Sequence, residues 1–512
     1  MPGDLRDTTL VSQVEPTDGA ENLGIEPLPD VDFNVVSGNT LVGYSRISHI
    51  DELWEQVQLG TATTTGTLAF ERDHSRLVSL CAEYAVVGDA FRNEMLGMPG
   101  PRVTKDQVRA ASNRIRPEVD QDIWRLYRTG FSRWSNTKFA DFKSSHTPFH
   151  WFVEFPSVLL ADGGFSAVVG NPPYVEIEKI ASSYGLLGYQ SIGGGNLYSL
   201  VMERSLSVCD TGGRLGMIVP VSSVCTGDFS ELQDTLVGSG SVHIASFNDR
   251  PGKLFEGLEH IRLSIILCDK SRNGSIKTTR YCKWTTEARC HLFPNLAFGD
   301  ATGLRSPGSI PKVSNGIEAT ILQRIRTTPD TVSSRIVSGG DAVLYYTRKL
   351  SGFVQVIDFV PEIRVANGQL ERPSELKELR FSSERDRAIA EAALNSSLFF
   401  LYLTMVSDCR NLNQREVKAM GIPISRATDA QVQRLEQLSY ELSQRLAGTS
   451  RVVTSNYKKY GRKEIQCIYP KLAKDIIDQI DIVLGEAFGL NDVELDYVVN
   501  FDIRFRMGVW AE

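Results

Sequence analysis

The residues best suited to chemistry form one short polar turn, Asn171-Pro172-Pro173-Tyr174. The apolar run before it, 165–169, predicts a buried strand, and the two prolines end that strand because proline cannot donate to a sheet ladder. The prolines leave nearby carbonyls free to accept, Asn171 adds a side-chain acceptor, and Tyr174 adds a flat ring. Such a turn can hold a planar aromatic amine. The alternative is an ordinary surface turn, for which Asn-Pro-Pro is common.

Elements after the turn indicate the sheet that must position it. An amphipathic helix opens at Gly195 and ends at Gly212-Gly213, before a predicted strand over 214–220. A glycine-flanked loop over 247–257 precedes another strand, 262–268. Alternating helices and strands predict an α/β fold, in which ligands bind beyond the carboxyl ends of the strands.

The turn Asn171-Pro172-Pro173-Tyr174 resembles the catalytic motif of DNA methyltransferases that modify the exocyclic amine of adenine. From about residue 28 onward, the chain resembles methyltransferases of type IIG restriction–modification enzymes and related phage-defence systems. The resemblance implies a Rossmann-like class I methyltransferase sheet with a helical insertion. A mixed α+β target-recognition domain and a helical tail follow. The implied domains are 1–275, with the insertion at 50–145, then 276–428 and 429–512.

The resemblance also implies a cofactor, a substrate and roles for single residues. S-adenosylmethionine would donate the methyl group, and double-stranded DNA would be the substrate. Asn171 and the Pro172 carbonyl would accept from the adenine amine, with Pro173 and Tyr174 completing the motif. Tyr174 and Phe255 would sandwich the base, although an apolar ring on such a loop is also typical of a core plug.

Asn39 matches the family residue that would bind the adenine ring of the cofactor. It follows a predicted short strand, 34–36, and the alternative is an ordinary strand-ending Gly-Asn turn. A Phe-x-Gly-x-Gly loop for the methionine part of the cofactor is not found upstream of Asn34. Glycines at 339–340 and 485–489 lack the required strand and spacing. The resemblance therefore implies a cofactor site that is incomplete in its N-terminal half.

Three functions remain open on this sequence. The first is adenine-specific methylation of DNA within a restriction–modification or phage-defence system. The second is a DNA-binding or specificity subunit, or a gene fragment, which needs a second subunit carrying the cofactor loop. The third is methylation of an amide or an RNA base, since the same turn serves those substrates. No nuclease motif of the Asp…Glu-x-Lys kind is found.

Candidate DNA contacts lie in the region beyond about residue 280 and in the tail, where arginines are scattered among short strands and loops. Arginine and asparagine can bind guanine and adenine edges bidentately, and lysines can contact phosphates. The alternative for each is a solvated polar residue. The candidates are Arg348, Lys349, Arg410, Asn411, Asn413, Lys458 and Lys459.

Composition limits the class of protein. The chain has 512 residues and a net charge of −7, so a DNA-binding protein of this kind must concentrate its basic residues locally. Its eight cysteines include no Cys-x-x-Cys pair, which predicts reduced thiols in a cytoplasmic protein and no metal site. The apolar run 398–406 is too short to span a bilayer, and no membrane partner is expected. Residues 50–145 predict helices interrupted at 99–101, and His150 is expected to be a packing residue.

Overall fold

A computed structural model describes residues 35–61, 75–95, 97–161, 163–257, 260–272, 274–458 and 461–508. The fold is mixed α/β, and the chain forms two compact units. The first unit contains the described residues up to Val168, with 175–189 and 200–213. The second contains 169–174, 190–199 and the described residues from Arg214 onward. The domain limits at 275 and 428 stay predictions.

The helices are numbered in chain order. They are α1 (Ser48–Thr61), α2 (Ser75–Met95), α3 (Lys105–Gly130), α4 (Phe139–His146), α5 (Trp151–Glu154), α6 (Ile177–Ile180), α7 (Leu197–Val208), α8 (Ser222–Cys225), α9 (Ser230–Ser239), α10 (Gly316–Arg326), α11 (Val332–Arg335), α12 (Glu384–Asn395), α13 (Ser397–Val406), α14 (Gln414–Ala419), α15 (Asp429–Gly448), α16 (Lys474–Phe488), α17 (Asp492–Asn500) and α18 (Ile503–Met507).

The strands are numbered in the same way. They are β1 (Phe165–Gly170), β2 (Cys209–Pro220), β3 (Ser241–Phe247), β4 (Leu263–Asp269), β5 (Ile276–Cys282), β6 (Gly299–Asp300), β7 (Ala342–Tyr346), β8 (Val356–Ile357), β9 (Ile363–Val365), β10 (Leu370–Glu371), β11 (Lys377–Phe381), β12 (Arg451–Tyr457) and β13 (Gly461–Cys467).

The first unit is mainly helical, which confirms the prediction for the described part of 50–145. Helices α2 and α3 pack together, and the Pro99-Gly100-Pro101 stretch lies between them. Helix α3 begins with a capping box, in which Thr104 and Gln107 satisfy each other's backbone amides. The core of the first unit is formed by Ile115, Val119 and other buried apolar residues of these helices.

A six-stranded sheet has the order β1-β2-β4-β3-β5-β6. Strand β4 pairs antiparallel with both β2 and β3, and β3 pairs parallel with β5. Gly213 lies beside the Phe165 carbonyl, and Gly170 lies beside Met217. The start of β1 is therefore next to the middle of β2 and its end is next to a later residue of β2, so the two strands run parallel. The carboxyl ends of β1, β2 and β3 therefore point the same way.

Strand β1 has the predicted limits, but the prediction that it is buried is wrong. Phe165 and Val168 are half-buried, and the Val169 side chain is 83% exposed. The reason is its place in the sheet, because among the described residues β1 pairs only with β2 and so lies at an edge. It carries no proline or charged residue of the kind that usually protects an edge.

Two other local predictions are corrected. Val35 and Val36 form no strand; they are 66% and 38% exposed and pair with no other described segment. A strand needs a neighbour to hydrogen-bond with, and an apolar pattern alone does not supply one. Helix α7 ends at Val208, before the predicted Gly212-Gly213, and β2 begins at Cys209.

The remaining residues of the second unit form two small sheets and a group of helices. The sheets have the orders β11-β7-β8 and β10-β9-β13-β12. The tail was predicted to be helical throughout, but β12 and β13 interrupt it between α15 and α16. Val452 and Val453 open that hairpin, and β-branched residues favour strands.

No single helix among the described residues is both long and apolar enough to cross a bilayer. Helices α12 and α13 reach that length and composition only together, with a bend of 64° between them. All eight cysteines are free thiols, five of them buried, and the described residues contain no cluster of metal-ligand type.

Candidate active site

The turn Asn171-Pro172-Pro173-Tyr174 lies directly after β1, at the carboxyl end of the strand. The Tyr174 hydroxyl lies 2.8 Å from Oδ1 of Asn171 and 2.9 Å from the main-chain oxygen of Ile218 in β2. Burial raises the pKa of Tyr174 to about 12, so the hydroxyl keeps its proton at neutral pH and donates it to these two acceptors. The tyrosine thereby fixes the Asn171 side chain relative to β2.

The Tyr174 ring is half-buried and packs against other aromatic and apolar side chains. Tyr198 meets it edge to face with ring centroids 6.2 Å apart, and Tyr198 itself stacks on Phe229 at 5.3 Å. The ring also contacts an apolar cluster drawn from β3, β4 and the loops beside them. Its buried members are Ala245, Phe247, Leu254, Leu263, Trp284 and Leu292.

Two acceptors of the turn remain available to a ligand. Asn171 is exposed, and its Oδ1 has a second lone pair after accepting from Tyr174. Within the part of the chain that the structure describes, no donor bonds to the Pro172 carbonyl. Two acceptors beside a fixed aromatic ring can bind a planar group that carries an amino group.

Phe255 lies on the loop after β3, and its side chain is 37% exposed. The neighbouring Leu254 is buried in the apolar cluster that Tyr174 contacts. The loop is anchored there, because the Gly252 amide donates to Trp284 and a Cβ on Gly252 would lie 2.4 Å from the Trp284 ring. Arg289 holds the carbonyls of Lys253 and Leu254 at 2.9 and 2.7 Å. Leu254 is therefore the core plug, and Phe255 is presented outward.

Asn39 lies in the first unit and takes part in a tight turn. Its Oδ1 accepts from the Leu41 amide at 3.1 Å, and its own amide donates to Thr147 at 2.9 Å. Its side chain also bonds to Tyr184, whose pKa is raised by burial. The Asn39 side chain thus stabilises its own turn and contacts Tyr184, and its role in cofactor binding stays a prediction.

The structure brings four of the candidate DNA contacts together. Lys349 and Asn411 form a β-bridge, and the Leu412 amide donates to the Arg348 carbonyl at 2.8 Å. The side chains of Arg348, Lys349 and Arg410 are exposed, and within the described ranges none of them forms an ion pair with a carboxylate. We call Arg348, Lys349, Arg410 and Asn411 the basic strip.

The other three candidates are not part of that strip, although Asn413 follows Asn411 by two residues. Asn413 is the N-terminal cap residue of α14, and its side chain makes no capping bond. Lys458 is exposed at the end of β12, and Lys459 lies outside the described residues. Two further cations close to Lys458 in the sequence are paired, Arg462 with Glu464 and Lys463 with Glu371. This part of the tail therefore has fewer unpaired positive charges than its sequence indicates.

His150 is a buried packing residue, as predicted. Its Nε2 lies 3.2 Å from Asp120, and its Nδ1 accepts from the Tyr44 amide at 3.3 Å. Burial lowers the pKa of His150, which keeps the ring neutral.

Sequence analysis missed Tyr198 and Ile218 as supports of the turn. Tyr198 is the second residue of α7, in an Asn-Leu-Tyr segment. An aromatic residue near the start of this helix was the sequence signal that could have identified it as a support of the turn. Ile218 contributes only its main-chain oxygen, which no side-chain pattern can reveal.

Comparison with known proteins gives one family. Residues 74–249, which are 176 of the 512 residues, match the family described as Eco57I restriction-modification methylase, and the match includes the Asn171–Tyr174 turn. No curated protein sequence matches the chain. Over this segment the chain is similar to restriction–modification methylases.

Three solved structures have distant similarity. The type IIL restriction-modification enzyme MmeI in complex with DNA is 10% identical over 92% of this chain and 79% of that one, with a TM-score of 0.37. The type IIG restriction endonuclease BpuSI is 10% identical over 88% and 68%, with a TM-score of 0.26. A DrdV–DNA complex is 12% identical over 36% and 22%, with a TM-score of 0.23. The chain spans less than a quarter of the length of DrdV.

Proposed function

We propose that the chain serves in the transfer of a methyl group to the exocyclic amine of adenine in a specific sequence of double-stranded DNA. The observation that carries the proposal is the Asn171–Tyr174 turn, in which the Tyr174 hydroxyl fixes the Asn171 side chain, and Asn171 Oδ1 and the Pro172 carbonyl remain available as acceptors. The family match over 74–249 supports a methylase within a restriction–modification or phage-defence system.

The chemistry follows from what the turn can accept. The amine of adenine is out of reach inside a duplex, so the base must leave the stack. Asn171 Oδ1 and the Pro172 carbonyl would each accept a hydrogen bond from one N–H of the adenine amine. These two bonds would direct the nitrogen lone pair toward the methyl donor. Tyr174 and Phe255 would hold the two faces of the ring. Catalysis would rest on positioning and fixed dipoles and would need no covalent intermediate on the protein.

DNA binding would use the basic strip. Its exposed cations have no carboxylate partner in the described chain, so they are available to phosphates. Asn411 lies among them and has the donor–acceptor pair that suits the edge of adenine. Lys458 and Asn413 would add contacts of the same kind.

S-adenosylmethionine would supply the methyl group, and the described residues fit it only in part. The turn offers acceptors for the amine, whereas Asn39 uses its side chain within its own turn. None of the described strands leads into a Phe-x-Gly-x-Gly loop. We therefore assign binding of the base to the Asn171–Tyr174 turn.

A second function is favoured by the open edge of β1. The chain would then be a DNA-binding or specificity subunit, inactive until a second subunit adds the cofactor half. Among the described residues no strand pairs with the outer edge of β1, and an apolar edge at the strand that leads to the turn suits the addition of another strand. Methylation of an amide or an RNA base is not favoured by any feature beyond the turn itself.

The test is methyl incorporation into unmethylated genomic DNA from labelled S-adenosylmethionine, with binding of the cofactor measured by calorimetry. Label in DNA that is lost in Asn171→Ala supports the proposal. Cofactor binding without transfer to any DNA contradicts it. Absence of both, in a folded chain that binds DNA, favours the second function.

A further inference from the structure

A polar pocket lies in the second unit, and none of its lining residues belongs to the Asn171–Tyr174 turn. Its volume is about 300 Å³, which is within the range of small-ligand sites. One wall comes from the segment after β3, 248–251, with Arg262 and Tyr281. The other comes from 350–352 and the end of α13. The proposed methyl transfer uses none of these residues.

The pocket contains a buried charge with unused hydrogen-bonding capacity. The Asp249 side chain is 5% exposed, and its Oδ1 lies 3.5 Å from the Arg262 guanidinium. Among the described residues, neither Oδ1 of Asp249 nor Nε of Arg262 has a hydrogen-bond partner. A buried polar group without a hydrogen-bond partner is destabilising, so a ligand that offers both a donor and an acceptor would be stabilised here.

The rest of the lining suits a flat anionic ligand. Phe505 contributes a half-buried ring, whereas Tyr281 and Phe400 are buried in the wall, and Lys283 lies over the Phe400 and Phe505 rings. Arg250 and Lys283 add positive charge, although Lys283 is paired with Asp502 at 2.9 Å. Aromatic faces beside cations are the combination on which nucleic-acid bases stack.

Two residues of the basic strip are next in sequence to residues that line this pocket. Lys349 directly precedes Leu350 and Arg410 directly follows Cys409, and both Leu350 and Cys409 line the pocket. Consecutive Cα atoms are about 3.8 Å apart, so these exposed cations are close to the opening. A phosphate chain bound on the strip would pass over the pocket.

We propose that this pocket binds a nucleotide of the DNA strand whose base is turned out of the stack and is not the methylated one. The base edge donates an N–H to Asp249 and accepts from Nε of Arg262, and its phosphates lie on the basic strip. The inference rests on the DNA binding of the proposed function. A free mononucleotide has the same chemistry, and the test separates the two sources.

The test compares ten-nucleotide single strands of each base with an abasic strand of the same length, by fluorescence anisotropy at fixed salt. In the unaltered chain the base-containing strands that offer an amino group should bind about 10-fold more tightly than the abasic strand. Asp249→Ala, which removes the acceptor, should reduce that ratio toward one without changing the abasic affinity. If Asp249→Ala fails to fold, Ser351→Trp, which places a large side chain at an exposed position of the pocket wall, should have the same effect.

The matched control is Arg272→Met, at the opposite end of β4 from Arg262, where the arginine is exposed beside Asp269. It should leave the ratio unchanged. Equal affinity for base-containing and abasic strands, or equal losses for both in the variants, would overturn the inference. So would tight binding of free nucleoside monophosphates with no preference for base-containing strands. Failure of methyl transfer in the unaltered chain would instead contradict the proposed function, and the two failures are measured separately.

Discussion

Two regions of the molecule, around His150 and around Tyr174, combine a ring with a polar partner, and they differ in how far the polar groups are exposed to solvent. His150 is fully buried and both its nitrogens are bonded, to Asp120 and to the Tyr44 amide. Tyr174 is half-buried, and its partner Asn171 is exposed with acceptor capacity to spare. The first arrangement is closed and stabilises the fold. The second is held in place by the fold and can still bind a ligand.

The largest expected effect is on the open region. We expect Asn171→Ala to reduce methyl transfer by at least about 100-fold, because removing one preorganised polar group from a site of this kind costs 10²–10³ in rate. Thermal unfolding should be unchanged, since the side chain is exposed. Asn367→Ala, at an exposed turn between β9 and β10, is the control and should retain activity. Activity in Asn171→Ala near that of the control would refute the assignment.

The closed region should show the reverse. We expect His150→Ala to lower the free energy of unfolding by about 3 kcal/mol, because Asp120 would stay buried with Lys143 as its remaining charged partner. Urea denaturation measures this. His243→Ala, at a half-buried position on β3, should cost less than about 1 kcal/mol. A loss in His150→Ala no larger than in that control would contradict the structural role of His150.

A pH dependence of stability should also come from the first unit. Burial lowers the pKa of His146 to about 4, below the ordinary value of 6.5, so the folded state favours the neutral ring. The contribution of His146 to the free energy of unfolding is fully present above pH 6.5. As the pH falls toward 4, the free energy of unfolding decreases by roughly 2–3 kcal/mol, because the unfolded chain binds the proton first. His146→Gln should flatten the stability profile over that interval. The exposed His291→Gln should not, and identical profiles in both variants would exclude this source.

The smallest effect should come from the hydroxyl that supports Asn171. We expect Tyr174→Phe to slow transfer about 10-fold, because the ring stays while the bonds to Asn171 and Ile218 are lost. Tyr440→Phe, at an exposed tyrosine, should have no effect. Steady-state rates on the same DNA measure the difference, and an unchanged rate in Tyr174→Phe would show that Asn171 is positioned without it.

Local patterns predicted the elements well where local rules decide them. The limits of β1 and the helices of 50–145 follow from periodicity and from the prolines at 99 and 101. The exposure of Val169 could not be predicted, because it depends on which strand is the neighbour of β1. The absence of a strand at Val35 and Val36 has the same cause.

The candidate site was predictable in its residues and not in its contacts. The turn was identified from its composition, whereas its link to the Ile218 carbonyl depends on strand pairing. The basic strip joins residues about sixty positions apart, through a bridge between Lys349 and Asn411. Pairing over such a separation leaves no pattern in the sequence.

The most direct test of the central claim, that the turn holds the amino group of adenine, is nucleoside mass spectrometry of DNA after reaction. Unmethylated DNA would be incubated with the chain and S-adenosylmethionine, then digested and compared with the Asn171→Ala reaction. We expect N6-methyldeoxyadenosine with the unaltered chain and none with the variant. A methyl group on cytosine, or N6-methyldeoxyadenosine that persists in the variant, would contradict it.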